Sequence, residues 1–187
     1  MAEYLSCAET AKLIRAALKK AFPGIKFSVR SSVYSGGASI NVRWTDGPAE
    51  KAVKAVAGGY CSGGFDGMID MAYSTEEWLM PDGSVAAASS PGTSGSRGVY
   101  ESYDEPAPSP DAKRVRFAAD YVFCDKSWSV PTYTAAVAKV CADYGVDMPE
   151  IKVGGGEPYV GYVNVPNGSC DLGTLVHREL KKEDYAS

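Results

Sequence analysis

The fold class that the sequence predicts is α+β: an antiparallel sheet of three or more strands, helices packed on one face, and a C-terminal βα appendage. Three observations lead there. The stretch FSVRSSVYSGGASINVRW alternates apolar and polar residues on both sides of a Ser-Gly-Gly turn, the pattern of a hairpin with one buried face. The preceding CAETAKLIRAALKKAF repeats its apolar residues at helical spacing. Further on, KRVRFAADYVFC alternates again before a second helical stretch.

Taken in order, Ser6 and Glu9 form a capping box that starts the first helix. Ala11, Ile14, Leu18 and Phe22 mark its apolar stripe, Lys12, Arg15 and Lys19 its basic one, and Pro23-Gly24 ends it. In the hairpin, Phe27 and Val29 point inward with Ile40, Val42 and Trp44, while Lys26, Ser28, Arg30, Asn41 and Arg43 point outward. Thr45-Asp46-Gly47-Pro48 turns the chain into a helix carrying Ala52, Val53 and Val56, with Pro48 near its first position. Phe65, Ile69 and Met71 belong either to a short strand or to an extended segment packed on the core.

Residues 81–112 are rich in Ser, Gly, Pro and acids without a sustained period, which predicts a long acidic loop, partly disordered. In the strand after it, Val115, Phe117, Ala119, Tyr121 and Phe123 alternate with Arg114, Arg116 and Asp120. A helix is expected from about Pro131 to Tyr144. A hairpin through Gly154-Gly155-Gly156 and a helix near Leu172–Lys182, capped by Asp171 or Ser169, complete the chain. The expected division is a domain over residues 1–145 and an extension over residues 146–187.

Composition narrows the function. Apolar residues at 45% and charged residues at 22% describe a globular chain with a real core. No apolar run approaches the roughly 20 residues of a spanning helix, and MAEYLSCAET does not read as a secretory signal, so no membrane partner and a cytoplasmic location in a bacterial host are expected. Charge is segregated. Residues 1–60 carry nine basic against four acidic side chains, a net of +5, and residues 61–112 carry one against nine, a net of −8. Such a division is an argument about partners.

No catalytic set emerges, and no enzyme and no cofactor are predicted. His177, the single histidine, has no nucleophile motif beside it. The five cysteines have no close pair, so a disulfide framework is not expected. For metal, zinc bound by Cys61, Cys124 and His177 is the weak candidate. The glycine runs lack the Lys-Ser/Thr of a phosphate loop and read as turns. Two binding sites stand out instead. Lys26, Arg30, Arg43, Arg114 and Arg116, with Tyr34 at the rim, would form one cationic sheet face for DNA or RNA. Tyr100, Tyr103, Asp104 and Glu105 are the part of the acidic loop that would order on a protein partner.

The segments KKAFPGIKFSVRSSVYSGGASINVRWTDGP, FDGMID and VRFAADYVFC resemble a large polyvalent-protein-associated domain, a family of phages and conjugative elements. The likeness spans roughly residues 8–142. Its matching positions are Phe27 to Ser32, Tyr34, Gly36, Gly37, Trp44, Asp46 to Pro48, Phe65 to Asp70, Asp120, Tyr121 and Cys124. The resemblance implies an anti-defence role. With the split charge, it makes the leading expectation an anti-CRISPR inhibitor that binds a host RNA-guided nuclease and blocks loading of target DNA or its cleavage. A nucleic-acid-binding module using the basic face is the alternative, and a metal-dependent enzyme the weaker one. The loop over residues 81–112 and the tail after residue 145 look like departures from the family pattern.

Overall fold

The computed structural model describes residues 1–67, 70–90, 103–166 and 170–182. They fall into two compact units, Met1–Arg43 with Ala52–Asp125, and Trp44–Lys51 with Lys126–Ser187. No helix among the described residues is long and apolar enough to cross a membrane.

The chain opens with β1 (Glu3–Leu5) and α1 (Cys7–Ala21). The capping box forms as the sequence predicts: Ser6 Oγ accepts the Glu9 N–H at 3.3 Å, and Glu9 Oε2 accepts the Ser6 N–H at 2.9 Å. Ala11, Ile14 and Leu18 are buried along one stripe. Then β2 (Ser28–Tyr34) and β3 (Gly37–Thr45) pair antiparallel, Tyr34 against Gly37 and Ser28 against Arg43. Gly36, at φ 91°, supplies the left-handed residue that so tight a turn requires. Val29, Ile40, Val42 and Trp44 are buried, as the alternation demands. Helix α2 (Glu50–Ala57) starts two residues after Pro48, because Asp46 and Gly47 both take positive φ and hold the turn open.

The next segment is a hairpin of β4 (Gly63–Asp66) and β5 (Met71–Ser74). Of the two expectations for it, the strand holds, but packing on the core does not: Phe65 is 53% and Met71 56% exposed. Ile69 lies outside the described residues. After it come β6 (Glu76–Leu79) and β7 (Val85–Ser90), then β8 (Tyr103–Asp104), β9 (Lys113–Phe117) and β10 (Tyr121–Ser127). Residues 81–112 are therefore not all loop. Val85, Ala86 and Ala87 complete a ladder with β6, which offsets the weak strand preference of the Ala-Ser run around them.

A second correction concerns KRVRFAADYVFC. It is two strands in two sheets rather than one strand: β9 lies in a five-stranded sheet of order β1-β9-β6-β7-β8, and β10 in a three-stranded sheet of order β10-β3-β2. The break falls at Ala118-Ala119-Asp120. The Ala118 N–H donates to Leu5 O, continuing the parallel β1–β9 pair, whereas the Asp120 N–H donates to Ala38 O in the other sheet. Two small residues and an aspartate permit the chain to change sheets there. Antiparallel hairpins are thus joined by parallel additions.

In the second unit lie α3 (Val130–Tyr144), the hairpin of β11 (Ile151–Gly154) and β12 (Glu157–Val160), and α4 (Leu172–Leu180). Gly155 and Gly156 make its turn, at φ 63° and 90°. Val137, Val140, Val160, Leu172 and Val176 form this unit's core. Asp171 caps α4 through the Thr174 N–H at 3.1 Å.

Candidate functional site, the outer face of the three-stranded sheet

Helix α1 packs against β2, whose Val29 is buried, and the alternation turns every second side chain of the hairpin to the opposite, outer face, where Arg30 and Arg43 are exposed and Ser39 is buried. Alternation places Ser28, Arg30 and Ser32 of β2 on that outer face, opposite Arg43, Asn41 and Ser39 of β3. Ser28, Arg30, Ser32, Asn41 and Arg43 line a groove of about 410 Å³. Arg43 Nε lies 3.5 Å from Asp125 Oδ2, which puts Asp125, and with it Tyr121 and Phe123, on the same face. The Asp120–Ala38 hydrogen bond and the Arg43–Asp125 contact both advance with residue number, so β10 runs parallel to β3. Stepping back two residues from Asp125 sets Phe123 beside Asn41, and four residues back sets Tyr121 beside Ser39.

Tyr121 and Phe123 are the residues that the sequence reading missed. It grouped them with Val115, Phe117 and Ala119, alternating with Arg114, Arg116 and Asp120, but whereas those three are buried, Tyr121 and Phe123 are 43% and 49% exposed. Their rings stack, with centroids 6.0 Å apart and planes at 27°. The change of sheet at Ala118–Asp120 rotates the alternation, and the Ala-Ala-Asp break in an otherwise β-branched and aromatic run is the only trace of this in the sequence.

The predicted cationic face is divided. Arg30 and Arg43 share the groove, exposed Lys26 lies two residues before β2, and Tyr34 stands at the hairpin end. Arg114 and Arg116 belong to β9 and so to the other sheet. Arg114 is also engaged: its guanidinium lies 2.5 Å from both Glu76 Oε2 and Asp104 Oδ1 and 5.8 Å from the centre of the Trp78 ring. The hydrogen bonds it donates to Asp104 and Glu76 raise its pKa further. One residue proposed for a protein partner therefore holds one proposed for nucleic acid. Glu105 is exposed, and its backbone is fixed by Trp78 Nε1–H donating to its carbonyl at 3.0 Å and by its own N–H donating to Ala88 O at 2.7 Å. Tyr100 and the side chain of Tyr103 lie outside the described residues.

A second cavity, about 450 Å³, opens where the hairpin turn meets β9. Tyr34, Gly37, Asp120, Arg116, Ser74 and Cys7 are among the residues that line it. Arg116 donates to Ser74 Oγ at 2.7 Å, and Asp120 Oδ2 accepts the Ala38 N–H at 2.9 Å. Gly37 is required here, since a Cβ would stand 2.5 Å from Asp120 Oδ2 and 3.1 Å from the Tyr34 ring.

Cys61 and Cys124 belong to the first unit and His177 to the second; among the described residues no three His, Cys, Asp or Glu side chains are placed to hold a metal ion. Burial pushes the thiols of Cys7, Cys61 and Cys141 up, away from the nucleophilic thiolate. Burial also lowers the His177 pKa, with Lys181 adding to the effect, and its ring meets Trp128 edge-on at 5.3 Å.

No curated protein and no solved structure matches the chain. A family model does, over residues 5–133, a span that includes the hairpin, β10 and the groove of Arg30 and Arg43 and stops short of β11, β12 and α4. The match covers well over half of the 187 residues, and the chain belongs to the large polyvalent protein associated domain 29 family.

Proposed function

We propose that the protein is an anti-defence binding protein of a mobile element and that it works by holding nucleic acid on the outer face of the three-stranded sheet. The observation that carries this reading is the groove in which Arg30 and Arg43 stand with Asn41, Ser28 and Ser32. Two guanidinium groups, an amide and two hydroxyls form a donor-rich lining suited to phosphate and sugar oxygens. Asp125 faces Arg43, but both side chains are more than half exposed, and such a pair is worth little and yields readily to a phosphate. Family membership supports the mobile-element setting. Replacing Arg30 and Arg43 with alanine is expected to weaken binding of a labelled oligonucleotide at low salt by at least about tenfold, each charged contact contributing roughly 1 kcal/mol. Unchanged affinity would remove the reading.

A second reading, an inhibitor directed at an RNA-guided CRISPR nuclease, is favoured by Asp104 and Glu105. Both are exposed, and the backbone and side-chain bonds described above present them at a fixed place on the five-stranded sheet. In this reading Asp104→Asn with Glu105→Gln relieves inhibition of a preassembled nuclease in a cleavage titration, while Arg30→Ala with Arg43→Ala leaves it intact. The opposite pattern rejects it.

A further inference from the structure

Proceeding from the reading of the outer face as a nucleic-acid interface, we infer that its ligand is an unpaired strand whose bases stack on Tyr121 and Phe123 while Arg30 and Arg43 hold its phosphates. Two large aromatic rings stand side by side on the outer sheet face, each close to half exposed, and stack on one another rather than turning inward. Aromatic rings left in water forgo much of the burial that makes them useful in a core. Their position is fixed by strand alternation with Asp125, whose contact with Arg43 ties β10 to the same face as the groove.

The duplex alternative suits this face less well. In a duplex the bases already stack on each other and offer only edges and phosphates, so exposed ring faces find no counterpart. Unpaired bases present their π faces, and aromatic side chains on a sheet beside a cationic track are the means of taking them up without strong sequence preference. Phe123, Asn41 and Arg30 form one row across β10, β3 and β2. With neighbouring strands about 4.8 Å apart, a base on Phe123 lies roughly 10 Å from the Arg30 position, a span that a long guanidinium side chain shortens toward a backbone phosphate. Asn41 stands between them, its amide able both to donate to and to accept from a base edge.

The test is fluorescence anisotropy at low salt with a labelled oligothymidylate of about 15 nucleotides and a hairpin duplex of similar length. Wild-type protein is expected to bind the single strand at least about tenfold more tightly than the duplex. Tyr121→Leu with Phe123→Leu keeps apolar bulk but removes the π faces; it should lower single-strand affinity by about tenfold or more and leave duplex affinity unchanged. Tyr121→Phe with Phe123→Tyr should restore it, which a mere packing role would not require. Equal affinity for both ligands, or a leucine variant that binds the single strand as wild type does, overturns the inference while leaving the phosphate groove standing. Failure of the wild-type protein to bind either ligand overturns the inference together with the reading on which it rests.

Discussion

Glu77 is an acid that the fold keeps among apolar neighbours. It lies opposite Val115 and Ala87 in the five-stranded sheet, is 8% exposed, and accepts a hydrogen bond from Thr75 Oγ1 at 2.7 Å. Burial raises its carboxyl pKa from the ordinary 4.5 to about 7, outweighing the Thr75 bond. The folded state therefore binds this proton more tightly than the unfolded chain does. Its contribution to stability is fully present below about pH 4.5 and is lost as pH rises through about 7. Glu77→Gln keeps the acceptor for Thr75 and removes the charge, so urea unfolding should show a variant more stable by on the order of 2 kcal/mol at pH 8 and little changed at pH 4. Equal effects at both pH values would place the cause elsewhere. Asp120 plays a different structural part. Asp120→Ala strips the buried Ala38 N–H of its carboxylate acceptor and should cost about 1–3 kcal/mol in the same assay, while Asp120→Asn, which still offers an oxygen there, should cost much less.

At the scale of elements, capping chemistry was plainly legible. Ser6 with Glu9, and Asp171 as one of the two caps expected for α4, bond free backbone N–H groups of their helices; Ser129 does the same for α3, a cap the sequence reading did not name. Ser6→Ala is expected to lower stability by about 1 kcal/mol, measurable as a shift of the denaturation midpoint at unchanged slope. The hairpin of β2 and β3 was legible because its alternation is strict and its turn glycine necessary. β6 and β7 were not, since Glu-Glu-Trp-Leu carries a buried acid and Ala-Ala-Ala-Ser-Ser has little strand preference of its own; only pairing with neighbours makes strands of them. Tyr121 and Phe123 were hidden for another reason. A period-2 pattern identifies two faces but not which is covered, and the change of sheet at Ala118–Asp120 reverses the assignment. Half of the candidate site, Arg30 and Arg43 with Asn41, could be read from residues 27–48. The aromatic half required the fold.

For the whole molecule, a net charge of −4 opposes a polyanion at long range, so affinity has to come from contacts within about a Debye length, roughly 10 Å at moderate salt. With Arg30, Arg43 and Lys26 as the available cations, two or three phosphates would be neutralised. The logarithm of single-strand affinity should then fall against the logarithm of salt concentration with a slope of about −1.4 to −2.1. The most direct test of the central claim, that the outer sheet face holds nucleic acid, is this slope measured for wild-type protein and for Arg30→Ala with Arg43→Ala. The wild type should bind tightly and with marked salt sensitivity, and the variant more weakly, with a slope shallower by about 1.4. An identical affinity and slope in the two proteins would contradict it.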